Sequence, residues 1–181
     1  YFFGTPLNDI SVEALTSISK ICFVAIAYCF IVGEITGNNS QVDKLWSLLP
    51  IAYVWVVAHY GAYSPRLIIM AILVSLWGIR LTYNFSRHGA FTIRFWEGTE
   101  DYRWAVLRAK PEFQPKWKWT LFNLFFICGY QQLLILLFTL PMIVALQFND
   151  TPMAIWDAVI AIVMLFFIHN CRYFYHNSAL N

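Results

Sequence analysis

The chain has 181 residues, of which only 12 are basic and 10 acidic. Hydrophobic residues make up 60% of it, whereas soluble domains are about 45–50% apolar and about 25% charged. This composition excludes a soluble globule, and it excludes intrinsic disorder, which requires low hydrophobicity and high charge. The net charge of +2 and the lack of a basic run predict no nucleic-acid partner. The composition therefore predicts an all-α, polytopic bundle of transmembrane helices.

Five apolar stretches predict five spanning helices, because each approaches the roughly 20 residues that a span requires and none alternates as a strand does. They form one membrane-embedded domain, residues 1–181, with spans near 18–35, 45–60, 67–85, 122–146 and 152–169.

The segment 86–118 is the long charged loop between the third and fourth spans, and it carries half of all formal charges. Placing this loop in the cytoplasm or matrix gives that side most of the basic residues, as the positive-inside rule requires. The count does not choose between the endoplasmic reticulum, the mitochondrial inner membrane and a bacterial inner membrane. Neither the cysteines nor the histidines show metal-ligand spacing, so no metal site is predicted.

Arg80 is a charge inside the third predicted span. Trp77, Arg80, Asn84 and Arg87 follow one another at spacings of three and four, so they share one helix face, with Tyr83 on its flank. Charges within a membrane usually face the protein interior or a wet cavity. Two interpretations stay open: Arg80 faces a polar site, or its long side chain reaches the membrane surface.

Polar residues also mark the fourth span and the start of the second. Asn123, Tyr130 and Gln131 are predicted to share a face that points at other helices or at a ligand, because buried amides need partners. Asp43 either caps the second helix or stands at the mouth of a pocket.

The charged loop contains the segment 100–104, followed by Arg108 and Lys110, and this pattern predicts an amphipathic surface helix with internal ion pairs. The functional alternative is an anion site, since arginine suits phosphate groups.

Several segments match the motifs of one membrane-protein family in order. They are QVDKLWSLLP at 41–50, LWGIRLTYNF at 76–85, RHG at 87–89, EDYRW at 100–104 and YQQLL at 130–134. Together they resemble the amino-terminal part of a family that is classed with the steroid 5-alpha-reductases. The resemblance extends from about residue 38 to residue 141.

The resemblance implies NADPH-dependent reduction of a carbon–carbon double bond conjugated to a ketone, in a lipid- or sterol-like enone. It implies that Asp43 and Tyr83 polarise the substrate carbonyl and that Arg80, Arg87 and Arg103 lie near the cofactor. The implied partners are membrane lipids and a lipid-like substrate.

The chain departs from that family at its carboxyl end. The family binds its cofactor mainly beyond the fifth helix, around an Arg-His-Pro motif that this chain lacks, and the chain has no initiator Met. One interpretation is therefore a piece of a reductase. The alternative is a catalytically inactive relative that serves as a structural subunit of a larger membrane complex, such as a respiratory or ATP synthase complex. A membrane methyltransferase is a third class that stays open.

Overall fold

The computed structural model describes residues 6–87 and 89–177, with side chains described up to residue 170. The all-α fold is confirmed, and within this part of the chain no strand is present. His88, in the predicted 87–89 motif, lies outside the described residues.

Seven α-helices follow one another in the described ranges. They are α1 (Asp9–Thr36), α2 (Gln41–Tyr60), α3 (Pro65–Arg87), α4 (Tyr102–Arg108), α5 (Lys116–Phe122), α6 (Gln131–Gln147) and α7 (Ile155–Asn177). A π-helical segment, Asn123–Tyr130, joins α5 to α6 and makes Lys116–Gln147 one continuous helix. The short helix α4 lies within the charged loop, followed by a 3₁₀ turn at Pro111–Phe113.

Three of these helices are long and apolar enough to cross a membrane: Asp9–Thr36, Pro65–Arg87 and Lys116–Gln147. A shorter apolar helix covers Ile155–Asn170. The helix α2 occupies the position of the second predicted span, but its first turns carry polar side chains that lower its mean hydropathy. These polar side chains are packed inside the protein, as described below.

Local signals explain where the first and third helices begin and end. The side chain of Asn8 caps α1 by accepting a hydrogen bond from the Ser11 N–H at 2.8 Å. Gly37 ends α1 with φ 69°, a left-handed conformation that glycine adopts without strain. Pro65 opens α3 at a position where its missing N–H costs nothing.

The helix α2 is the centre of the bundle. It packs against α1, α3 and α6, while α7 packs against α3. Half of α2 is buried, including Tyr53, Val57 and Ala58, which are fully inaccessible. The facing side of α1 buries a stripe of mostly small residues at spacings of three and four: Ser11, Ala14, Ile18, Cys22, Ala25, Cys29 and Gly33. Small residues let helices approach closely, which is how helices associate where lipid removes the hydrophobic driving force.

The helices α2 and α3 approach each other closely at Gly78. A Cβ at this position would lie 2.6 Å from the backbone oxygen of Ser47 and 2.8 Å from Ile51. Because one of these neighbours is backbone, the contact cannot be relieved by a side-chain rotation.

We expect Gly78→Ala to destabilise the protein by roughly 1–3 kcal/mol, because the added methyl group overpacks the α2–α3 contact. The measurement is the thermal unfolding temperature of the purified protein in detergent. Ile79→Ala is the matched control, since Ile79 is exposed on the same helix and its truncation should change little. An unchanged unfolding temperature for Gly78→Ala would contradict the close packing.

Candidate functional site

Asp43 and Arg103, two of the predicted site residues, lie together at the amino end of α2. The Asp43 carboxylate accepts a hydrogen bond from the Trp104 indole N–H at 2.9 Å and lies 3.6 Å from the Arg103 guanidinium. Its side chain is only 11% exposed. Burial raises the pKa of the Asp43 carboxyl above its usual range, and the bonds from Trp104 and Ser40 and the Arg103 charge oppose that rise.

The interpretation of Asp43 as the cap of α2 is wrong. The N-cap is Ser40, and its hydroxyl oxygen accepts from the Asp101 backbone N–H at 2.8 Å instead of from the first turn of α2. Both side chains are turned toward the charged loop, because that loop folds over the end of the helix. The side chains at the amino end of α2 thus bond to the loop and not to the first turn of the helix.

The predicted surface helix and its ion pairs are present as α4. Asp101 caps α4 and receives two side-chain hydrogen bonds from Arg103, each at 2.9 Å. These bonds hold the pKa of the Asp101 carboxyl below its usual range. A second pair joins Arg108 to Glu100 at 2.8 Å.

Lys44 holds the loop from inside the protein. Its side chain is fully buried, and its ammonium donates to the carbonyl oxygens of Phe95 and Glu97, each at 2.6 Å. The ammonium also lies 5.3 Å from the centre of the Phe95 ring. A buried cation requires such partners, because its desolvation is otherwise costly. Sequence reasoning assigned Lys44 no role, although a charge beside an apolar span was a visible signal.

The remaining polar residues of the segment 38–44 bind the same loop. Asn38 donates to the Gly98 carbonyl at 3.0 Å, and Gln41 donates to the Trp96 carbonyl at 2.9 Å. The Asn39 N–H donates to Glu100 at 2.9 Å. Two segments that resemble separate family motifs, 41–50 and 100–104, therefore meet in space. We call the joined segments 38–44 and 95–108 the polar layer.

The other predicted site residues do not join this layer. Arg80 donates to the Ile168 carbonyl of α7 at 2.6 Å, so it ties two helices together. Tyr83 is 64% exposed, and Arg87 is exposed at the end of α3. Within the described ranges, no hydrogen bond or ion pair links these three residues to Asp43 or Arg103. Of the five predicted site residues, Asp43 and Arg103 thus lie together, whereas the other three lie at separate positions.

The predicted common face of the fourth span is wrong for Tyr130, which is half exposed. Asn123 is buried and donates to Glu34 at 2.9 Å, while Gln131 accepts from the Trp46 indole at 3.0 Å. The π-helical segment between them has wider turns, so the α-helical spacing used for the prediction does not apply. Glu34, an acid within the first predicted span, was a signal that sequence reasoning missed.

An apolar cavity of about 420 Å³ lies beneath the polar layer, between α2, α3, α6 and α7. Its walls include Trp46, Pro50 and Val54 of α2, Met70, Val74 and Trp77 of α3, and Phe138 and Met142 of α6. Asp43 precedes Trp46 by three residues and Arg80 follows Trp77 by three. Because side chains three apart share a helix face, each lies about one turn beyond the cavity wall, at the same end of the bundle.

We expect Lys44→Met to release the loop from α2, because it removes the ammonium and leaves two carbonyl oxygens without a donor. Each buried oxygen left unpaired costs about 1–3 kcal/mol. Hydrogen exchange of the backbone amides in residues 95–104 measures this effect and should accelerate strongly. Lys110→Met is the control, since Lys110 is an exposed lysine of the same loop. Equal protection in the two variants would contradict this role of Lys44.

Comparison with known proteins identifies the family of the chain. Residues 29–172 match the family model described as "Protein of unknown function (DUF1295)". An uncharacterized protein of Schizosaccharomyces pombe is 37% identical over 155 residues, which cover 79% of this chain and 43% of the relative. The chain thus spans less than half the length of this relative. No solved structure matches the chain significantly.

The match covers most of the chain, and it agrees with the resemblance to steroid 5-alpha-reductase-like proteins at the level of the family. The individual motifs and the roles of their residues stay predictions. The chain belongs to the DUF1295 family of proteins of unknown function.

Proposed function

We propose that this chain is the membrane part of an NADPH-dependent reductase, and that it binds a lipid- or sterol-like enone and polarises its carbonyl. The observation that carries the proposal is the apolar cavity of about 420 Å³ with Asp43 one helical turn beyond its wall. A cavity of this size and lining suits the hydrocarbon part of a lipid, and ligand sites typically combine apolar walls with few polar groups.

In this proposal, Asp43 acts on the carbonyl oxygen of the substrate. In its protonated form, the Asp43 carboxyl donates a hydrogen bond to an oxygen that gains negative charge during reduction. The phenol of Tyr83 is the second proposed donor. Bound NADPH would supply the hydride.

The arginines predicted for the cofactor fit NADPH only in part. The Arg103 guanidinium is paired with Asp101 and Asp43, and the Nη1 of Arg80 donates to the Ile168 carbonyl. Arg87 lies at the exposed end of α3. These three side chains form no common phosphate site in the described part of the chain, so we derive no step through the nucleotide. We propose that its phosphates are bound mainly by residues outside this chain, since the chain covers 43% of its relative.

We expect Tyr83→Phe and Asp43→Asn to lower kcat by roughly 100-fold or more, because general acid groups typically contribute that much. The measurement is NADPH oxidation by the full-length protein with a panel of long-chain and sterol-like enones. Tyr130→Phe is the control, since Tyr130 is a similarly exposed tyrosine on another helix. Turnover by both site variants at the parent rate would remove Asp43 and Tyr83 from the mechanism.

We expect Val74→Trp to raise KM by roughly tenfold or more, since the larger side chain occupies the apolar cavity that would hold the substrate. Ile72→Trp is the matched control: Ile72 is exposed on the same helix and does not line the cavity. Equal KM values for the two variants would place the substrate elsewhere.

The second candidate function is that of an inactive structural subunit of a larger membrane complex. It is favoured by one observation: Asp43, Lys44 and Arg103 already have partners within the polar layer. Titration of the full-length protein with NADPH separates the two functions. Saturable binding with turnover supports the reductase, whereas no binding and co-purification with other membrane subunits supports the structural role.

A further inference from the structure

A second cavity, of about 320 Å³, lies at the polar end of the bundle where α1 ends and α5 begins. It is separate from the apolar cavity and shares no lining residue with it. Its walls carry five chargeable or amide side chains beside the ring of Trp119, those of Glu34, Asn39, Arg108, Gln114 and Lys116. The proposed reductase function uses none of these residues.

Two buried nitrogen donors at this cavity lack an acceptor. Asn39 is only 4% exposed, and its side-chain Nδ2 has no hydrogen-bond partner in the described part of the protein. The Nε of Arg108 is likewise buried without a partner there. A buried donor without an acceptor is costly and uncommon in folded proteins. Two of them on residues that line one cavity point to a ligand that brings acceptor oxygens.

Both donors are held in place by other contacts. The Nη2 of Arg108 donates to Asn39 Oδ1 at 2.7 Å, to Glu100 at 2.8 Å and to the Gly37 carbonyl at 3.1 Å. The guanidinium lies 5.0 Å from the centre of the Trp119 ring. The donors are therefore preorganised, which lowers the entropic cost of binding.

Charges of both signs surround the cavity. Lys116 is exposed at its rim, and the Glu34 carboxylate accepts one hydrogen bond from Asn123 at 2.9 Å and one from Thr120 at 3.2 Å. A carboxylate has capacity for further donors. A ligand that carries both a phosphate and an ammonium group would match this arrangement.

The position of the cavity identifies the source of such a group. It lies at the ends of α1 and of the helix Lys116–Gln147, both apolar enough to cross a membrane. Tryptophan and lysine are typical of the membrane–water interface. Side chains at the membrane–water interface contact lipid headgroups. The cavity volume of about 320 Å³ is near the lower limit of small-molecule sites, so the cavity is large enough for a headgroup.

We propose that this cavity binds the headgroup of a zwitterionic phospholipid. Its phosphate oxygens accept from Asn39 Nδ2 and Arg108 Nε near Lys116, and its ammonium group faces Glu34. The acyl chains stay outside, in the surrounding lipid. The proposal does not depend on the reductase function.

Native mass spectrometry of the purified full chain in detergent, titrated with phosphatidylethanolamine, tests the proposal. We expect saturable binding of one lipid. Asn39→Asp keeps the acceptor for Arg108 but replaces the free donor with an anion, and should weaken binding by roughly tenfold or more. Lys116→Gln should weaken it several-fold, whereas Lys118→Gln, an exposed neighbour outside the cavity, should bind as the parent does.

Competitors identify the source of the phosphate. Soluble glycerophosphoethanolamine should displace the lipid, and inorganic phosphate or NADPH at the same concentration should not. Displacement by either of these two would overturn the lipid assignment in favour of a free-phosphate or nucleotide site. Binding that neither Asn39→Asp nor Lys116→Gln weakens would overturn the site itself. Because Lys116 is exposed, its variant tests the proposal even if Asn39→Asp lowers stability.

Glu34→Gln tests the ammonium end of the site. This variant keeps an acceptor oxygen for Asn123 and removes the negative charge. It should reduce the preference for phosphatidylethanolamine over phosphatidylglycerol, which has a phosphate but no ammonium group. An unchanged preference would overturn the assignment of Glu34 to the ammonium group.

Discussion

The buried ammonium of Lys44 is the interaction on which the polar end of this protein depends. A buried ammonium requires acceptors, and its acceptors here are the carbonyl oxygens of Phe95 and Glu97, which come from the loop and lie 2.6 Å away. The loop must therefore fold over α2 for the helix to sit at the centre of the bundle. Once it does, Asn38, Asn39, Gln41 and Asp43 find their partners in the same segment.

This polar layer divides the protein into two chemical environments. Below it, α2, α3, α6 and α7 enclose apolar space, and the indole of Trp46 and the amide of Gln131 bond to each other near the boundary. The polar cavity with unpaired donors lies where α1 ends and α5 begins, and Asn39 and Arg108 of the layer itself form part of its wall. The proposed enone site and the proposed headgroup site share no lining residue, so each can be tested without the other.

The sequence predicted much of the fold because composition and apolar run length are direct consequences of membrane burial. The three helices that are long and apolar enough to cross a membrane lie where apolar runs occur, and α4 lies where paired charges occur. The candidate site was harder to predict. Asp43 and Trp104 are 61 residues apart, and no local periodicity reports a contact over that distance. The face predicted for Tyr130 was wrong because the prediction used α-helical spacing, and the sequence gives no sign of the π-helical segment that ends at this residue. Lys44 and Glu34 were visible as charges, but their partners are backbone oxygens and amides, which have no signature in the sequence.

The polar first turns of α2 also bear on how the protein enters the membrane. The helix α2 is not among the helices that are long and apolar enough to cross a membrane on their own, and a lysine at its amino end lowers the tendency of the segment to insert. Only the short turn at 61–64 joins it to α3. We infer that α2 partitions into the bilayer together with α3 as a helical hairpin. The polar first turns of this hairpin have their partners in the loop that follows α3, so they are covered when that loop folds back onto them.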